Sequence, residues 1–185
     1  MDDNQIVALY WQRSESAIAE TAAKYGRYCF SIAHNILQNN EDADESVSDT
    51  YLAAWKAMPP HKPSVLSTFL GKLTRRISLN RWRKTTARKR GNNEVTLALE
   101  ELSQCIPGKD DTSLALEQKE LSIAINRFLS TLKEQDRNIF LCRYWFLFSI
   151  KEICARTGFS ENKVKSILHR TRHKLKAYLL EEGLI

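Results

Sequence analysis

SIKEICARTGFSENKVKSILHRTRHKLKAYLL, Ser149 to Leu180, is the stretch on which the fold turns. Ser149 is followed three residues later by Glu152, the pair that satisfies two orphan amides at a helix start, and this predicts a short helix with Ile153 and Cys154 turned inward. Gly158 ends it, because glycine adopts the left-handed conformation a tight turn between helices needs. Ser160 then offers the cap for a second helix. In that helix Val164, Ile167, Leu168, Thr171, Leu175 and Tyr178 recur at spacings of three and four, so one face packs inward. The opposite face presents Asn162, Lys163, Lys165, Ser166, His169, Arg170, Arg172 and His173. Two helices joined this way form a helix-turn-helix.

Upstream, the same period recurs. Ile18, Ala22, Tyr25, Cys29, Ile32, Ala33 and Ile36 mark one long amphipathic helix. Asn39-Asn40 interrupts it, and Asp42, Asp44 and Glu45 then place negative charge on the first turn of a helix carrying Ala43, Val47, Tyr51, Ala54 and Trp55. Pro59-Pro60 and Pro63 stop that helix. A third, from Ser67, turns Leu70, Leu73 and Ile77 inward and Lys72, Arg75, Arg76, Arg81 and Arg83 outward. Residues 84–117 lose the pattern. They hold the run Arg88-Lys89-Arg90-Gly91, a short helical candidate at Leu97 to Leu102 that either packs on the carboxy-terminal helices or meets a regulator, and turn chemistry at Pro107 to Asp111. The expectation is an all-α chain: a helical domain over 1–84, a linker over 85–117, and a helix-turn-helix domain over 118–185.

The 185 residues are 43% hydrophobic and 27% charged, with 6 Gly, 4 Pro and 4 Cys, which excludes a collagen repeat, a charge-dominated disordered chain and a disulfide-dense module. Cys29, Cys105, Cys142 and Cys154 form no C-x-x-C pair and read as buried thiols. Neither a signal peptide nor a membrane span is legible, so a cytoplasmic protein is expected. Charge is unevenly placed along the chain, whose formal net is +6. Residues 71–95 and 121–185 are strongly basic, whereas 1–70 and 96–120 are acidic. Two separated basic blocks suit phosphate neutralisation at two places along one duplex.

The polar face of the last helix suits a major groove: short side chains near its amino end reach base edges, and Lys and Arg further along reach phosphates. His169 and His173 have the i, i+4 spacing of a metal pair, but nothing near them completes a ligand set, and they read as phosphate contacts or solvent-exposed groups. There is no Gly-rich phosphate loop, nucleophile elbow or carboxylate pair outside the acidic helix. The expectation is a non-enzyme with no metal and no cofactor.

Three stretches carry a resemblance to a known family: NEDADESVSDTYLAAWKAMPPHKP (Asn40 to Pro63), FLGKLTRRISLNRWRK (Phe69 to Lys84) and FLSTLKEQDRNIFLCRYWFLFSIKEICARTGFSENKVKSILHRTRHKLKAYL (Phe128 to Leu179). Together they resemble a bacterial RNA polymerase sigma factor of the sigma-70 family, in the small extracytoplasmic-function-like group that keeps regions 2 and 4. The resemblance implies that core polymerase is bound at its clamp helices and flap, the clamp helices meeting Asp42, Asp44, Glu45 and Asp49, with Tyr51 and Trp55 nearby. It implies a pocket for a flipped base around His61 and Lys62, and contact with the minus-10 element through Arg75, Arg76, Asn80, Arg81 and Arg83. For the minus-35 element it implies Ser160, Asn162, Lys163, Lys165, Ser166, His169, Arg170 and Arg172. The family commonly has Asn where this chain has Arg76, Asp at Asn80, Thr at Lys163 and Arg at Ile167, so its usual promoter preference is not carried over to these positions. The implied partners are promoter DNA and, in some members, an anti-sigma protein; a sigma factor docks as a monomer. The alternative is a freestanding helix-turn-helix regulator, which would more often dimerise on a two-fold operator.

Overall fold

The computed structural model describes residues 1–86, 94–103, 105–106 and 115–185. The run Arg88 to Gly91 and the turn at Pro107 to Asp111 lie outside the described residues. Among those described there are nine helices and no strand: α1 (Asp3–Trp11), α2 (Ser16–Leu37), α3 (Asn40–Ala57), α4 (Leu66–Thr86), α5 (Glu94–Ser103), α6 (Ala115–Thr131), α7 (Glu134–Tyr144), α8 (Ile150–Thr157) and α9 (Glu161–Glu181). The chain divides into two compact units, Met1–Gly91 and Asn92–Ile185. The all-α, two-domain reading is therefore what the structure has.

In the first unit α2, α3 and α4 pack pairwise, and α1 lies against α2. The stripe read from the sequence supplies the core: Cys29, Ala33, Ala43, Val47, Ala54 and Leu70 are buried, joined by Ile6, Val7 and Tyr10 of α1, an element the spacing of the longer helices did not reveal. Each large apolar side chain taken from water contributes about 1.5–3 kcal/mol. Two pairs of polar side chains lie inside this core. The Tyr10 and Thr21 hydroxyls lie 2.9 Å apart, and Thr50 of α3 donates to Thr74 of α4 at 3.2 Å. Asn39 caps α3 by accepting from the Asp42 amide at 2.9 Å, and Glu41 and Asp42 occupy the first turn, where the helix dipole favours anions. Gly71 is a close approach. A Cβ there would stand 2.4 Å from the Tyr28 hydroxyl, so its absence lets α4 lie against α2.

The second unit is built around α7, which contacts α5, α8 and α9, while α6 and α8 also pack on α9. Ile139, Phe140, Leu147, Ile153, Val164, Leu168, Leu175 and Leu179 form its interior. The short helical candidate at Leu97 to Leu102, whose packing the sequence leaves open, is a helix, α5, and it lies within the second unit, with Val95 and Ala98 buried at 1% and 0% exposure. Cys29 and Cys105 are buried, Cys142 and Cys154 half-buried, and all four are free thiols. No described helix is long and apolar enough to cross a membrane.

Candidate nucleic-acid interface

The helix-turn-helix forms from the local signals that announce it. Ser149 accepts from the Glu152 amide at 3.2 Å, and the Glu152 carboxylate accepts from the Ser149 amide at 2.7 Å, closing the capping box of α8. Gly158 sits at φ 71°, ψ 10°, the left-handed cap, and its amide returns to the Cys154 carbonyl at 2.8 Å. Ser160 starts α9 with its side chain facing the Lys163 amide. The turn therefore leaves the amino end of α9 open to solvent, with Ser160, Glu161, Asn162 and Lys163 exposed.

Along α9 the structure brings most of the expected face together. Asn162, Lys163, Lys165, Ser166, His169, Arg170 and His173 are all exposed, opposite buried Val164, Ile167, Leu168, Thr171 and Leu175. Lys163 lies over the Phe159 ring at 3.5 Å, and Lys165 pairs with Glu161 at 3.1 Å. The imidazoles of His169 and His173 meet at 3.1 Å between their Nε2 atoms. Groups of three or more His, Cys, Asp or Glu able to hold a metal are absent among the described residues.

Arg172 departs from that face. It follows Leu168 by one turn and precedes Leu175 by three residues, which places it on the flank of the packed side. Its guanidinium donates to the Tyr144 hydroxyl at 2.7 Å and to the Glu101 carboxylate at 3.4 Å, and the side chain is 15% exposed. Glu101 also receives Arg143 through two guanidinium nitrogens, at 2.9 and 3.3 Å, and the Tyr144 hydroxyl at 2.7 Å. Arg143 is 1% exposed and donates in addition to the Phe148 carbonyl at 3.2 Å. Burial pushes the Glu101 carboxyl up, but the hydrogen bonds from Arg143 and Tyr144 and the two positive charges outweigh it, and its pKa falls below the ordinary value. Burial and the neighbouring Glu101 hold the Tyr144 phenol well above its usual range. Glu101, Arg143 and Tyr144 went unmarked in the sequence. The available signal was Arg143 itself, a lone charge inside the apolar run from Ile139 to Phe148, which needs a partner if that run is buried.

In the first unit the basic residues of α4 separate into two stripes. Lys72, Arg76, Asn80 and Arg83 are exposed and follow one another at helical spacing. Arg75 is half-buried, and desolvation lowers its pKa to about 10, so it stays charged at neutral pH without standing on that outward stripe. Arg81 turns toward α3: it pairs with Glu45, with Asp49 at 3.3 Å and with Asp42 at 3.5 Å. Its hydrogen bond holds the Glu45 carboxyl below the usual range, and Arg81 is pushed further up in return.

The acidic residues divide in the same way. Asp42, Glu45 and Asp49 form the stripe that meets Arg81, whereas Asp44 lies on an outward stripe with Ser48 and Leu52, the last 49% exposed. Tyr51 and Trp55 are half-buried and anchor α3. Trp55 packs on Tyr10 with ring centroids 6.2 Å apart, and Arg13 stands 5.3 Å over its ring while donating to its carbonyl at 2.8 Å. Burial raises the Tyr51 phenol to about 12. His61 and Lys62 are exposed in the loop between α3 and α4, with the His61 ring 5.0 Å from that of Phe69.

Two family models match the chain: Sigma-70 region 2 over residues 22–88 and Sigma-70, region 4 over residues 122–175. The chain belongs to the sigma-70 family. Region 2 covers most of α2 together with α3 and α4, and region 4 runs from within α6 through α7 and α8 into α9. A solved structure, CnrH in complex with the cytosolic domain of CnrY, is 23% identical to the chain, covers 96% of each, and has a TM-score of 0.41. No curated protein matches the sequence. Sigma-70 proteins are not an enzyme class.

Proposed function

We propose that this sigma-70 protein, of the small group that keeps regions 2 and 4, binds core RNA polymerase through α3 and directs it to promoters. The minus-10 element is met by α4 and the loop before it, and the minus-35 element by α9. One observation carries the reading. Both sigma domains occur in order in a single chain, each presenting one outward cationic stripe on one helix: Lys72, Arg76 and Arg83 on α4, and Lys163, Lys165 and Arg170 on α9. Two such stripes supply phosphate contacts at two separate promoter elements, while Asn80 on the first and Asn162 and Ser166 on the second are the short polar groups suited to bases. On α3 the outward pair Asp44 and Leu52 offers a charge and an apolar contact to a basic protein surface. The working place of such a subunit is the cytoplasm, in a one-to-one complex with core enzyme, where an anti-sigma protein could compete for it.

The test is co-elution with sigma-free core polymerase. Wild type is expected to co-elute, and Asp44→Lys to lose most of its core affinity while keeping its helical content, because Asp44 stands clear of the Arg81 cluster. Core affinity equal to wild type in Asp44→Lys would remove α3 as the docking face. A chain that ignores core polymerase and binds duplex DNA tightly alone would be a freestanding regulator instead.

A further inference from the structure

Arg172 is a permanent cation on the helix read as DNA-facing, yet it points at a carboxylate from another helix. The hold is specific. The Tyr144 hydroxyl accepts from Arg172 and donates to Glu101, so the two charges are joined directly at 3.4 Å and again through the phenol at 2.7 Å on each side. The same carboxylate takes two hydrogen bonds from Arg143, which is 1% exposed and needs an anion to offset its desolvation. Around Glu101, α5 is held by buried Val95 and Ala98 and half-buried Leu97 and Leu102, with Cys105 following at 5% exposure, while Leu99 is 39% exposed. A helix of ten residues is marginal by itself in water, so α5 depends on this docking for its own persistence.

We propose that α5 is a clasp on the DNA-binding unit, in which the Glu101 carboxylate keeps Arg172 on the packed side of α9 and withholds its charge from DNA phosphates. The inference rests on the reading of α9 as the DNA-facing helix. While the clasp is closed, that face carries Lys163, Lys165 and Arg170; opening it adds Arg172 as one more phosphate contact. Anything that draws α5 away would therefore strengthen DNA binding in a strongly salt-dependent way, since each phosphate neutralised steepens the dependence of log K on log salt by about 0.9.

The experiment compares the full-length chain with its Arg172→Gln, Glu101→Gln, Tyr144→Phe and Glu101→Gln/Arg172→Gln forms for binding to a 30-base-pair duplex across a salt series. Iodoacetamide labelling of each cysteine is followed in parallel. Arg172→Gln is expected to keep the wild-type salt slope, Glu101→Gln to steepen it by about 0.9, and the double variant to return to wild type. Tyr144→Phe, which leaves Arg143 its partner, should steepen it in part and serves if Glu101→Gln folds poorly. Cys105 should be alkylated severalfold faster in Glu101→Gln, with Cys29 of the other unit unchanged. A slope lowered by about 0.9 in Arg172→Gln would make Arg172 a phosphate contact and overturn the clasp. So would a Glu101→Gln form, or a folded Tyr144→Phe form, with wild-type slope and wild-type Cys105 labelling. Should wild type fail to bind duplex at any salt, the DNA reading of α9 falls, and unchanged Cys105 labelling in Glu101→Gln would then sink the clasp separately.

Discussion

Each unit sets arginine against carboxylate, but at different depths. In the first, Arg81 meets Asp42, Glu45 and Asp49, whose side chains are 41%, 64% and 48% exposed. In the second, Arg143 is 1% exposed and shares Glu101 with Arg172. Water competes for every carboxylate of the first cluster, whereas in the second it reaches part of Glu101, 28% exposed, and hardly reaches Arg143. A surface ion pair contributes roughly 0–1 kcal/mol, whereas breaking a buried pair by removing one partner costs about 3–5 kcal/mol. The comparison teaches that the same residue types do different work: α3 and α4 are weakly tied and leave carboxylates facing outward, while α5, α7 and α9 are locked by one carboxylate.

The largest expected effect breaks the second cluster. Glu101→Ala should destabilise the second unit by about 3 kcal/mol, near the low end of the range because Glu101 is 28% exposed. Urea unfolding followed by hydrogen exchange at the α7 amides checks it, and the first unit should not respond. Acid sharpens the contrast. The folded pKa of Glu101 lies below its ordinary 4.5, so its contribution is complete above that value and is lost as pH falls through the lowered one. As pH falls below 4.5 the second unit should thus lose stability faster than the first, where the depressed Glu45 and Asp3 stand more exposed to solvent. Next comes the turn. Gly158→Ala should cost about 1–2 kcal/mol, because the φ of 71° is strained for a residue with a Cβ even though the space beside it is open. Ser149→Ala, which removes the α8 cap, should cost about 1 kcal/mol in the same assay. The smallest effect is Arg81→Ala, under about 1 kcal/mol and fading with added salt; a loss as large as that of Glu101→Ala would erase the distinction between the clusters.

The helix-turn-helix was legible because its signals are local. Ser149, Glu152, Gly158 and Ser160 act within one or two turns, and the structure places every one of them as their spacing requires. The long helices of the first unit were legible for the same reason, their apolar stripes being wide enough to survive any packing. What the sequence hid was pairwise. Nothing in the spacing of α4 tells that Arg81 turns toward α3 while Arg76 turns away, since both lie on the polar side and only the neighbouring helix separates them. Arg172 sits at the edge of two stripes, and its assignment depended on Glu101, 71 residues away in the chain. The packing of α5 stayed open because a ten-residue apolar pattern names no neighbour: Val95 and Ala98 bury there, and Glu101 finds Arg143 42 residues further along the chain.

The most direct measurement is transcription in vitro with sigma-free core polymerase on fragments of the source genome, with and without the purified chain. The account predicts a one-to-one complex and new discrete start sites, abolished by Asp44→Lys, with shared sequence upstream at the spacing of two elements. No new starts, together with tight binding of the free protein to duplex DNA, would contradict it.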